Sequence, residues 1–186
     1  MRALLAVTAL LALAGCVFWS EGALFDESTA VTPFEDGEHF VWIDDAGEQT
    51  KPVIYQRSGS GYVLNTGVAD ENPISVHFFD VPETPEPDLI AQIELPNADS
   101  SRAYAFMWPV NEGYRIVTAP GALADVSGSE AALEAACADR RNGECRFATA
   151  DDVRRFYASV IHPKFVTGGL APDDFLDQMP LQTESP

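Results

Sequence analysis

Residues 89–110, LIAQIELPNADSSRAYAFMWPV, decide how the chain folds. Leu89, Ala91, Ile93 and Leu95 alternate with Gln92 and Glu94. That period belongs to a strand with one face turned to a core. After the polar break NADSS, the segment AYAFMWPV puts Tyr104, Phe106, Trp108 and Val110 on a single face of a second strand. NEG then turns the chain tightly into YRIVTA.

The same grammar runs back to Glu38. HFVWID, PVIYQR, YVLNTG and ISVHFFDV read as strands, separated by DDAGEQ, SGSG, VADENP and the proline-rich PETPEP. The spacing predicts about seven short strands joined by hairpin-length breaks. The expected class is α+β, mainly β: an antiparallel meander forming a sandwich or a small barrel, with one or two C-terminal helices packed on it.

The last third changes period. SEAALEAACADRRNG carries Ser129 as an N-cap and Leu133, Ala136 and Cys137 at helical spacing. In TADDVRRFYASVIHP, Thr149 is the expected cap, and Asp151 and Asp152 suit the positive end of the helix. Val153, Phe156, Tyr157, Val160 and Ile161 make one apolar stripe expected to pack on the sheet, and Pro163 is the expected stop. LAPDDFLDQMPLQTESP reads as one further helical turn before a frayed tail.

The chain opens MRALLAVTALLALAGC. Arg2 is a cationic start, and the uncharged run from Ala3 through Trp19 is 17 residues, at the short limit for a membrane span. A cationic start, a short apolar centre and a small-residue end describe an export signal rather than a buried helix. Leu13-Ala14-Gly15-Cys16 resembles the lipobox of bacterial lipoproteins. The resemblance implies a diacylglyceryl group on the Cys16 thiol, cleavage after Gly15, and further acylation of the new amino terminus by a fatty acid such as palmitate. Two or three buried acyl chains anchor durably where one does not. Val17, where a retention Asp would stand, implies the outer membrane, facing the periplasm. The expected divisions are a signal peptide at 1–15, a lipidated Cys and tether at 16–37, one β-rich domain with its helices at 38–165, and a tail at 166–186. Leu24, Phe25, Val31 and Phe34 within the tether suggest that it docks in part.

Hydrophobic residues make up 46% of the chain and aromatics 10%, which favours a packed core over disorder. The net charge of −18 leaves no basic footprint for nucleic acid or anionic lipid. It fits a soluble acidic surface better than a dedicated cationic partner. With Cys16 assigned to lipid, Cys137 and Cys145 remain as a pair, and export favours a disulfide between them. The redox alternative normally uses the tighter C-x-x-C, and a zinc site lacks neighbouring ligands.

Catalytic motifs are missing from the sequence: there is no phosphate loop, no G-x-S-x-G and no H-E-x-x-H. His39, His77 and His162 stand alone, although folding could join His39 to His77. Asp44, Asp45 and Glu48 could offer oxygen ligands to calcium, but a solvated hairpin turn explains them more simply. Asp173 and Asp174 read as helix-start acids. If the sheet closes, some of the strand aromatics Trp42, Tyr55, Phe78, Tyr104, Phe106 and Trp108 would line an interior able to admit an apolar ligand, with His77 or Arg115 as polar handles. A core filled by side chains is the plainer expectation. No catalytic residue, metal or cofactor is expected. The reading is a membrane-anchored, non-enzymatic interaction or envelope-maintenance module with an envelope protein as partner. A lipocalin-like carrier of a small apolar ligand is the alternative.

Overall fold

The computed structural model describes residues 18–43, 47–49, 52–65, 73–82, 84, 88–94, 100–110, 113–117, 129–141, 144–167 and 176–180. The expected export signal, Cys16, Asp44, Asp45, Asp173 and Asp174 lie outside the described residues.

The strands are β1 (Phe18–Ser20), β2 (Glu38–Ile43), β3 (Val53–Ser58), β4 (Gly61–Asn65), β5 (Ile74–Asp80), β6 (Leu89–Glu94), β7 (Arg102–Val110) and β8 (Gly113–Val117). Helix α1 (Ser129–Ala136), strands β9 (Asp139–Arg141) and β10 (Glu144–Arg146), and helix α2 (Ala150–Phe156) follow. A π-helical stretch (Tyr157–Ile161) then leads into α3 (His162–Thr167), and β11 (Leu176–Pro180) comes last.

Strands β2 to β8 meander, each pairing antiparallel with the next. Between β3 and β4 the two-residue turn needs Gly59, whose φ of 61° is the positive value that a type II′ hairpin demands at its first turn position. β11 inserts between β8 and β2, antiparallel to both, and closes an eight-stranded barrel. The architecture is therefore a barrel and not a sandwich. The expected strand number was too low because β1, β9, β10 and β11 carry too few alternating residues to declare themselves.

β7 has a double task. β6 holds one edge along 102–107, while the other edge is shared by β8 over 106–110 and β1 over 102–104. β1 in turn carries β10 in parallel, and β10 pairs with β9, so a three-stranded flap leaves the barrel wall at β7.

Two cores result. Inside the barrel, alternate residues of the strands meet: Phe40, Tyr55, Leu64, Val76, Leu89 and Met107 are among them. Outside, the other faces of β5 to β8 are covered by the flap and the helices. There Phe106 lies 5.6 Å from both Phe156 and Tyr157. The expected helical stripe is wholly buried in this outer core.

Thr149 caps α2 as expected, accepting from Asp152 N at 3.2 Å while its own N donates to Asp152 Oδ2 at 3.0 Å. Pro163 does not stop the helix. Where the π-helical stretch ends, the N–H of His162 reaches back to Tyr157 O. Pro163 follows one residue after the π-helical stretch, and the helix runs on through it to Thr167.

Cys137 and Cys145 form a disulfide, with Cα atoms 5.2 Å apart, fastening the end of α1 to β10.

Within the expected tether, Phe18 is fully buried, 4.9 Å from Phe156 and 5.2 Å from Phe106. Phe25 and Phe34 are likewise core residues. Within the expected tail, Leu176–Pro180 is the closing strand.

Candidate functional site

The barrel interior brings together Trp42 on β2, Tyr55 on β3 and Phe78 on β5, three of the expected aromatic liners. Tyr104, Phe106 and Trp108 share a face, as their alternation requires, but it is the outer one, beneath the flap and helices. β7 is buried on both sides, so nothing in its sequence distinguished lumen from exterior.

Phe34 completes the lumen from outside the strand set. It lies on the segment between β1 and β2, and its ring centroid is 4.7 Å from that of Tyr55. It is also 5.1 Å from Phe40 and Phe78, 5.3 Å from Tyr114 and 5.9 Å from Tyr62. Most of these pairs are edge-to-face, the packing favoured by ring quadrupoles. Its backbone is held by side chains. Phe34 N donates to Tyr62 Oη at 3.0 Å, Tyr62 Oη donates to Phe34 O at 2.6 Å, and Arg57 Nη2 donates to Phe34 O at 3.2 Å.

Gln178, fully buried on β11, is the polar centre of the interior. Its Oε1 accepts from Trp42 Nε1 at 2.9 Å and from Tyr55 Oη at 2.7 Å. An indole N–H can only donate, so the amide oxygen must face it and Nε2 must turn away. That Nε2 is buried with no hydrogen-bond partner among the described residues. Burial drives the Tyr55 phenol well above its ordinary pKa and raises that of Tyr114, so Tyr55 meets Gln178 as a neutral donor.

The expected polar handles point elsewhere. His77 lies on the outer surface of β5, with Nε2 3.7 Å from Glu27. Arg115 forms a two-pronged ion pair with Asp177 at 2.7 and 3.0 Å, across the outer face of β8 and β11. His39 is exposed on β2, with β3 and β4 between it and β5, so His39 and His77 do not meet.

A second polar cluster ties the outer layer. Asp88, buried at the head of β6, accepts a short hydrogen bond from Tyr157 Oη and lies 3.2 Å from His162 Nδ1. Burial and the Asp88 carboxylate push the Tyr157 phenol far up, so it stays protonated. The contacts pin both ends of the π-helical stretch to the wall. A third cluster centres on buried Gln92, whose Oε1 accepts from Leu24 N at 2.9 Å, Phe25 N at 3.2 Å and Tyr104 Oη at 3.2 Å.

Phe34, Gln178 and Asp88 were not identifiable as site residues from the sequence. Phe34 sits in a segment with no strand period, and Gln178 is one polar residue between acids and prolines. Asp88 meets its partners only across 69 and 74 residues of chain.

Among the described residues, no group of three or more His, Cys, Asp or Glu side chains could hold a metal ion. No helix among them is long and apolar enough to cross a membrane. No family model, curated protein or solved structure matches the chain.

Proposed function

We propose that the chain is an exported bacterial lipoprotein, anchored through acylated Cys16 at the periplasmic face of the outer membrane, and that its barrel is a non-enzymatic interaction or envelope-maintenance module. The packing of Phe34 against five rings inside the barrel carries this reading of the domain. A lumen filled by the chain's own side chains leaves the outer surface as the place where a partner would act. The lipobox carries the anchor. Labelling cells with a palmitate analogue tests it: the wild-type chain takes the label and Cys16→Ser does not. A Cys16→Ser chain that stays fully anchored and labelled overturns the anchor. Crosslinking in cells tests the module, and a chain with no stable envelope neighbour counts against it.

A lipocalin-like carrier of a small apolar ligand is the second reading, favoured by the closed up-and-down barrel and the unpartnered amide of Gln178. Native mass spectrometry of the exported protein separates the two. An extra mass lost on denaturation supports the carrier, and a bare monomer mass supports the module.

A further inference from the structure

We infer that the barrel interior is a recognition site for an aromatic ring borne next to an amide or carboxylate, and that Phe34 occupies it as an internal ligand which such a molecule displaces. The inference rests on the carrier reading and names its ligand class.

Phe34 is bound the way a ligand is bound. Its neighbours Thr32, Pro33, Glu35 and Asp36 are exposed, and its own side chain alone of the five is buried. No strand ladder pairs its peptide groups. A side-chain hydroxyl reads both sides of the residue instead, with Tyr62 accepting from the N–H and donating to the C=O. Arg57 adds a guanidinium to the same carbonyl. Hydroxyl and guanidinium together distinguish an acyl-amino group from plain hydrocarbon. The guanidinium would bind a carboxylate more strongly than the neutral carbonyl it now holds.

Deeper in the lumen, the orphan Nε2 of Gln178 is a donor awaiting an acceptor. Tyr55 spans the two levels, its ring 4.7 Å from that of Phe34 and its hydroxyl 2.7 Å from Gln178 Oε1. Phenylalanine has no heteroatom to offer there. A phenolic ring in the same lumen could supply the missing acceptor, so the favoured ligand is a phenolic aromatic amide, of which an N-acylated tyrosine is the simplest form. Buried amide donors are normally satisfied, which makes this one a mark of unmet specificity.

The probe is N-acetyl-L-tyrosinamide, added to the full chain, with hydrogen exchange read at the Phe34 amide and fluorescence at the tryptophans. Saturable binding that speeds Phe34 exchange at least tenfold is the expected result. Phe34→Ala should bind the probe at least tenfold more tightly, because the competitor is gone. Gln178→Met should lose the preference for N-acetyl-L-tyrosinamide over N-acetyl-L-phenylalaninamide. Binding that leaves Phe34 exchange unchanged overturns the inference, as does a Phe34→Ala chain that takes toluene as well as the probe, since that is only a dug cavity. Should Phe34→Ala not fold, the wild-type exchange result decides alone. A co-purified apolar molecule with Phe34 undisturbed keeps the carrier reading and removes this one. A chain that carries nothing and refuses the probe loses both.

Discussion

Trp42 on the first barrel strand donates its indole N–H to the side chain of Gln178 on the last, joining residues 136 positions apart at 2.9 Å. The closure of the barrel is therefore written inside it as well as along its strand edges. Gln178→Leu keeps the bulk and removes the acceptor shared by Trp42 and Tyr55. A loss of about 2–3 kcal/mol is expected, read as a lower urea midpoint at unchanged slope. A midpoint within experimental scatter of wild type would mean that strand pairing alone closes the barrel.

Gly113 opens β8 beside the Gln178–Met179 peptide of β11, where an added Cβ would run into the Gln178 carbonyl and crowd Met179. The backbone of β11 can approach only because that position is bare. Gly113→Ala should cost about 2–4 kcal/mol and selectively raise exchange along Leu176–Pro180. A stable variant with β11 still protected would show that the strand can shift aside.

The Cys137–Cys145 bond closes a short loop, and opening it frees α1 from β10. Loop entropy puts the loss at about 2.5 kcal/mol. Reduction should lower the melting temperature while the tyrosine and tryptophan environment inside the barrel stays native below it. Loss of that environment on reduction at room temperature would tie the barrel to the flap more strongly than the pairing implies.

Tyr55, Tyr104, Tyr114 and Tyr157 all have phenol pKa values raised above the ordinary one, with burial the largest cause in each. A group whose folded pKa is raised stabilises the fold fully below its unfolded pKa. That contribution is lost as pH climbs past it, here above about 10. Alkaline titration should therefore show tyrosinate absorbance appearing together with unfolding, and Tyr157→Phe should flatten the fall in stability. Early tyrosinate absorbance in a folded chain would place these hydroxyls in contact with water.

The readable part of this fold is the part with a period. β2 to β8 place apolar residues at alternate positions over five to nine residues, and their breaks hold Gly, Pro, Asn and Asp. The helical stripe from Val153 to Ile161 was equally plain. Phe18–Ser20 is too short to alternate and continues the uncharged run from Ala3, so nothing marks it off as a strand. Leu176–Pro180 is only five residues long, and the buried residue at its centre, Gln178, is polar. For Tyr104, Phe106 and Trp108 the shared face was legible but its destination was not, because β7 is covered on both sides. Phe34 and Gln178 depend on contacts between ends of the chain, which no local window contains.

The burial of β1 also fixes how the domain would stand on a bilayer. Phe18, sealed beneath Phe106 and Phe156, comes two positions after Cys16. Two residues reach about 7 Å at full extension. In the proposed anchored form the barrel thus has almost no leash, and the flap holds its attitude to the membrane plane. A chain of net charge −18 gains nothing from anionic headgroups, so the acyl chains alone would hold it down. Such a protein cannot fish across the periplasm. Whatever meets it must come to the membrane surface and meet it in one orientation.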